Sequence, residues 1–465
     1  MLVVCGDDLI IFSDKAIKYQ EDKPVNIAWP RFYRKAIKGA VDQINGAYNW
    51  ISRYPDKIFT DPACTQRLPI DLPNGSSARF HGVVVATGAH RAVQRIMNDD
   101  SGSFIVAPWL KGDDAIDTDH PNFLPFCIGD VNPDGMFIHV FDDVTIKRVL
   151  NHLDTIADFT RYLDKRAKYL RSGKLMVAHG EEELLAGYLQ VGIMRNGEYD
   201  FEPPRKKTTE KFALMTTQGG WSSYLRSEQY FSKTIADDKS RFWDRLIGLF
   251  TSNVVAGTSV AILGEAPSAS LSERGLRFMA LENRFARRML SAALEGAIVA
   301  ARTARQDRFV RTIMPTQVSA NPKLAYVFMI LAYPTDLARS GGLPGGYDQY
   351  RKARANMLEA YCLNVLRQNP QLNTAVGIAV DAHSSQTGRP GGSEDLMVVQ
   401  IDEWDEELIA TAADARERFD VLREERLVMS HLSDREFPVS EMDHRPRMNR
   451  ARHRLSRERF KKKRK

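Results

Sequence analysis

Lys15 closes the segment GDDLIIFSDK, residues 6–15, in which an apolar run rises out of an acidic turn and ends on an acid and an amine. That combination suits metal-dependent cleavage of phosphodiesters. Carboxylates would hold Mg2+, while a neighbouring lysine orients or activates the attacking water and stabilises the pentavalent phosphate. Side chains alternate along a strand, so Ser13 and Lys15 share one face and Asp14 points to the other. The chemistry wants an acid two residues before the lysine and a second acid from a neighbouring strand. Ser13 stands in the first acid's place. Asp8 and Asp14 are the candidate metal ligands, Asp14 only if a bulge re-aims it. Asp7 and Asp8 serve equally well as turn residues.

These residues need a scaffold. LVVCGDDLIIFSD reads as two short strands around the Gly6-Asp7-Asp8 turn. Residues 25–55 read as a helix, with Pro30 in a first-turn position, Pro55 as the stop, and Ile37, Ala40, Val41, Ile44, Ala47, Tyr48 and Ile51 on a 3.6-residue period. HGVVVATG is a buried strand, followed by a short helix from Ala89 to about Asn98 and a strand in SFIVAPWL. PFCIGD and MFIHVFD, separated by VNPDG, look like a hairpin. Strands alternating with helices in this way predict an α/β unit with a partly parallel sheet.

These features give the N-terminal 140 residues a resemblance to the restriction-endonuclease-like, or PD-(D/E)xK, fold of the Mrr and nuclease-related type. The strand ending in IIFSDK, the helix with Trp29 and Gln43, and the strand HGVVVATG carry it. The chain also resembles a bacterial protein family with an early Asp-Leu-Leu-Val-Val strand, an IIFSDK segment, and counterparts of CTQRLPI and GEEELL. The resemblance implies a metal-binding Asp just before Leu2, where this chain has Met1, and a preceding helix. It further implies Lys15, Asp14, Asp8 and Ser13 as the catalytic set, Asp8 and Asp14 as ligands of Mg2+, and a polar helix residue, Gln43 or Lys35, facing the site. The alternative for those two is the solvent side of an amphipathic helix. The functional expectation is a nuclease-like protein that acts on or binds nucleic acid, hydrolysing phosphodiesters if the site is intact. The competing expectation is a non-catalytic nucleic-acid-binding or scaffold protein on a degenerate nuclease fold.

The remaining chain adds charge and two further units. The net charge of +6 is uneven: residues 445–465 hold 12 Lys/Arg against Glu458, a net of +11, which leaves the rest at −5. Such a segment repels itself, is expected to be disordered, and could bind phosphate backbones by counterion release. Residues 143–189 read as helical, 195–212 as a linker, and 222–306 as helical again. From about Val318, strands in AYVFMILAY, TAVGIAVDA and EDLMVVQID alternate with helices. The expected division is therefore a restriction-endonuclease-like mixed-sheet core (1–140), a mainly helical middle (141–315), a second small α/β domain (316–428) and a basic segment (429–465).

Other motifs carry less. ARSGGLPGGYDQY lacks the Gly-Lys-Ser/Thr of a phosphate loop, so a surface loop is favoured. Asp381, His383 and Ser384 are sequence neighbours rather than convergent triad members, and no Gly-x-Ser-x-Gly elbow occurs. Glu181 to Glu183 fit a helix start. His90, His120, His139, His152 and His179 show no ligand spacing. Cys5, Cys64, Cys127 and Cys362 are too dispersed for a zinc knuckle or a disulfide framework, which points to free thiols in a reducing cytoplasm. No run reaches the ~18 apolar residues of a membrane span.

Overall fold

The structure is a computed structural model. It describes residues 1–422 apart from 71, 74, 120–122, 192–198, 202–213, 217, 257–268, 305–307, 317–318, 332–345 and 382–393. It is a mixed α/β protein with three four-stranded sheets among the described residues.

The first sheet is built on the opening hairpin. Strands β1 (Leu2–Cys5) and β2 (Asp8–Ala16) pair antiparallel, with Leu2 opposite Ile11 and Cys5 opposite Asp8. Gly6 turns the chain at φ +61°, a conformation open to glycine and strained for most other residues. β2 then runs parallel to β3 (Arg79–Thr87), and β3 parallel to β6 (Ile138–Phe141). A parallel neighbour requires a crossover. Between β2 and β3 it is the helix pair α1 (Val25–Phe32) and α2 (Gly39–Arg53), joined by a π turn at Tyr33–Lys38.

The single helix expected over residues 25–55 is thus two helices and an intervening turn. Pro30 lies inside α1 rather than in its first turn. It has no N–H for the helical ladder, and three residues later the ladder widens, with Gly39 N–H reaching back to Arg34 O. α1 is pinned regardless. The Trp29 indole donates to Ala115 O (2.9 Å) and the Tyr33 hydroxyl to Gly112 O (2.9 Å). Burial of Trp29, Phe32, Tyr33, Ile37 and Ile44 contributes roughly 1.5–3 kcal/mol each.

The second sheet has the order β5-β4-β7-β8, from β4 (Ile105–Lys111), β5 (Cys127–Asp130), β7 (Leu175–Ala178) and β8 (Leu214–Thr216). Here two expectations give way. PFCIGD and MFIHVFD do not form a hairpin, because β5 pairs parallel with β4 while β6 joins the first sheet. The intervening turn is held by Arg171, which donates to Asp130 and to the carbonyls of Asn132 and Gly135. The segment 143–189 is not wholly helical either. β7 sits between α5 (Ile156–Arg171) and α6 (Glu181–Val191), after α3 (His90–Met97) and α4 (Thr145–His152).

Residue 140 is no boundary in this arrangement. β4 pairs with β7 across it, and α5 supplies Phe159, Tyr162 and Leu163 to a core shared with Ile10, Val83 and Phe141 of the first sheet.

The third sheet, β12-β11-β10-β9, comprises β9 (Arg308–Ile313), β10 (Leu324–Leu331), β11 (Thr374–Asp381) and β12 (Glu394–Gln400). β10 and β11 are parallel, and the outer two pair antiparallel. One face (Val327, Met329, Ala375, Ala379) packs under α11 (Gly346–Gln368) and α12 (Glu406–Phe419). The other (Tyr326, Phe328, Val376, Ile378) packs against Trp243, Phe250 and Leu294 from α8 (Glu228–Val255) and α10 (Arg284–Ala304). Burial on both faces explains why β10 is apolar throughout. It also means that α8, α10 and β9, expected in a separate helical middle, complete the C-terminal unit. The short α7 (Gly220–Leu225) precedes α8, and α9 (Ala269–Leu281) precedes α10. No described helix is long and apolar enough to cross a membrane.

Candidate nucleic-acid interface

The two faces of β2 have different surroundings. Leu9 and Ile11 pack under α1 and α2, and Ser13 follows them, its hydroxyl donating to Gln43 Oε1 (2.9 Å) on α2. Lys15 continues this face and is half-buried, level with Ala86 of β3. Tyr48 of α2 stacks edge-on with Phe80 at the start of β3, and Ile44 lies by Gly82. α2 therefore runs antiparallel to β2, and the π turn before it lies over the end of β2 that carries Lys15. Outside the carboxyl ends of parallel strands is where such sheets commonly place ligands.

The structure thus brings together Ser13 and Gln43, with Lys15 on their side. It does not bring Asp8 or Asp14 to them. Asp14 is exposed on the opposite face. Asp8 shares Asp14's face but lies six residues away, about 20 Å along the strand. Its oxygens are already used: Arg79 donates through Nε (3.0 Å) and Nη2 (2.8 Å), and His81 Nε2 lies 2.9 Å away. Burial pushes the Asp8 carboxyl up, but the hydrogen bonds from His81 and Arg79 outweigh it and hold it below the ordinary carboxylate range. Among the described residues no group of three or more His, Cys, Asp or Glu could hold a metal ion. Asp8 and Asp14 do not fit Mg2+ beside Lys15, because the strand's alternation and length separate them from it.

The helix pair and its π turn present cations to solvent. Arg31, Arg34, Lys35 and Lys38 are all exposed. Arg31 donates to Gln20 and Lys38 pairs with Asp113. Arg34 and Lys35, like Lys15, make no ion pair with a carboxylate among the described residues. Lys35 takes the solvent side, as the amphipathic alternative has it. Gln43 is exposed too, yet reaches Ser13. Arg34 escaped the sequence reading, although RFYRKAIK displays its spacing. Farther along, α2 ends on two exposed aromatics, Trp50 and Tyr54.

Behind the sheet lies a buried polar network that the sequence does not announce. Arg166, 2% exposed, donates through Nε and Nη2 to Glu181 (2.7 Å each), and the Tyr162 hydroxyl donates to the same carboxylate. His139, between Phe137 and Phe141, contacts Arg166, and burial with that adjacent charge drives its imidazole well below the usual range. The three glutamates opening α6 divide their tasks. Glu181 takes Arg166, Glu182 accepts from Ser103, and Glu183 accepts the backbone N–H groups of Gly219 and Trp221. Each is thus held by hydrogen bonds within the fold, and the helix dipole is only part of what fixes them.

In the third unit, Asp395 accepts from Arg351 (2.8 Å) and from Arg354, which is fully buried. His120, His383, Ser384, the Gly-rich stretch of ARSGGLPGGYDQY and the basic segment 445–465 lie outside the described residues. No protein-family profile, curated protein or solved structure matches this chain.

Proposed function

We propose that this protein binds nucleic acid through the outer face of α1, the π turn and α2, with Lys15 at the sheet end beneath them. The observation that carries this is that Lys15, at the end of β2, and Arg34 and Lys35, on the π turn that lies over that end, are three cations that spend no charge on a neighbouring carboxylate among the described residues. Phosphate contacts are made by such side chains, and each releases condensed counterions. Localisation matters, because outside residues 445–465 the chain is net negative. A backbone held at this face meets cations grouped on one helix pair, in a body whose overall charge repels it. The basic segment adds a second, sequence-tolerant contact.

Phosphodiester hydrolysis on the same ligand is the second reading. Its support is Lys15 at the carboxyl ends of β2 and β3; against it stands Asp8, committed to Arg79 and His81 at the far end of the strand. Fluorescence anisotropy of labelled 20-mers across a salt series tests the first reading, with the full chain and a Lys15→Ala/Arg34→Ala/Lys35→Ala variant. Each lost phosphate contact reduces the log–log salt slope by about 0.7–0.9, so the variant's slope is shallower by about 2. An unchanged slope removes this face from the interface. Product formation with Mg2+ or Mn2+ that is equal in wild type and Lys15→Ala removes Lys15 from any hydrolysis.

A further inference from the structure

We infer that the end of α2 is a stacking platform for an unpaired nucleobase, so that the ligand of the face just described is single-stranded nucleic acid. This rests on the nucleic-acid reading and narrows it. Trp50 is 51% exposed and Tyr54 42% exposed, while the neighbouring Ile51 is buried and supplies the apolar anchor of this turn. The two aromatics are therefore not serving the core. Their rings lie 4.9 Å apart at 53°, one helical turn from each other.

The platform is fixed in place. The Trp50 indole N–H donates to Lys57 O (3.2 Å), Tyr54 N–H to Trp50 O (2.8 Å) and Lys57 N–H to Tyr54 O (3.0 Å). This closes the chain from 50 to 57 into a small ring. Lys57 places its ammonium 5.1 Å from the Tyr54 ring centroid. Arg53, exposed and three residues from Trp50, flanks the pair. A π surface framed by two cations matches a base with its adjoining phosphates, and base–aromatic stacking tolerates any sequence because every base has a π face.

Charge complementarity points the same way. Residues 31–57 carry six cations, Arg31, Arg34, Lys35, Lys38, Arg53 and Lys57, against Asp42 and Asp56. From Arg34 to Trp50 the helical rise is about 24 Å, long enough for a strand to touch both the cations and the aromatics. A duplex keeps its bases stacked on one another and offers the aromatics nothing comparable.

The test uses the full chain and three ligands of equal length: oligo-dT, the same backbone with abasic sites, and a duplex. Wild type binds oligo-dT more tightly than the abasic strand, by roughly 5- to 100-fold if one base stacks. Trp50→Ala/Tyr54→Ala loses that preference while keeping its abasic affinity, and Trp50→Phe retains most of it. Thermal melts that coincide with wild type show that the variants fold. Equal wild-type affinity for oligo-dT and abasic strand overturns the platform and leaves the nucleic-acid reading standing. Equal losses on all three ligands overturn it as well. Failure of wild type to bind any of the three removes both.

Discussion

Glu282 offers a sharp test of the packing in the C-terminal unit. It follows α9, is 2% exposed, and accepts from the Tyr326 hydroxyl (3.1 Å) and Ala320 N–H (3.4 Å). Burial raises its carboxyl from 4.5 to about 7, with the two hydrogen bonds and the charge of Arg287 offsetting only part of the desolvation. Between those values the folded protein holds a proton that the unfolded chain releases. Stability on this account is therefore greatest below pH 4.5, falls as pH rises through 7, and is lower by about 3 kcal/mol at pH 8, at roughly 1.4 kcal/mol per pH unit. Glu282→Gln abolishes that ionisation while keeping the shape and the acceptor oxygen. Urea unfolding followed by tryptophan emission suits the measurement, since Trp243 is buried against Tyr326 and hydrogen-bonded to Met279 O. The variant and wild type should agree within about 1 kcal/mol at pH 5, and the variant should be more stable by about 3 kcal/mol at pH 8. A stability difference that does not grow between pH 5 and pH 8 refutes the argument that the carboxyl ionises against the packing.

Two further outcomes concern buried charge. Arg166→Ala leaves Glu181 buried with only the Tyr162 hydroxyl as donor, and a loss of about 3–5 kcal/mol in chemical denaturation is expected; a change under 1 kcal/mol counts against the network. Asp395→Ala removes the carboxylate that Arg351 and the fully buried Arg354 both bond, and a loss of about 1–3 kcal/mol is expected in the transition of the C-terminal unit, read by Trp243 emission; an unchanged transition counts against that contact.

Period and composition made much of the architecture legible. The hairpin around Gly6, the buried β3, the strands β10 to β12 and the helix α3 all follow from apolar runs and turn residues within a few positions. What escaped was long-range or short. β7 and β8 span four and three residues, too few for a periodic signal, and β9 is half-buried along its whole length. The pairing of β4 with β7 depends on segments some seventy residues apart, and no local pattern encodes it. For the site, alternation puts Ser13 and Lys15 on one face of β2, and the hydrogen bond from Ser13 to Gln43 shows which helix Ser13 faces. Nothing local could reveal that Arg79 and His81 would claim Asp8, because they arrive on β3, more than seventy residues later. The exposed aromatics escaped for a different reason: a Trp or Tyr at helical spacing reads as core until burial is known.

The interleaving of the first two sheets limits how the chain can be shortened. A fragment stopping after Phe141 would retain β4 without β7 and would leave Ile10, Val83 and Phe141 uncovered where α5 packs. That apolar surface would invite aggregation. Glu183 of α6 in turn holds the backbone just before α7. The smallest piece able to display the Lys15 face in its native setting therefore runs on at least through α7, well beyond the stretch that supplies the cations themselves.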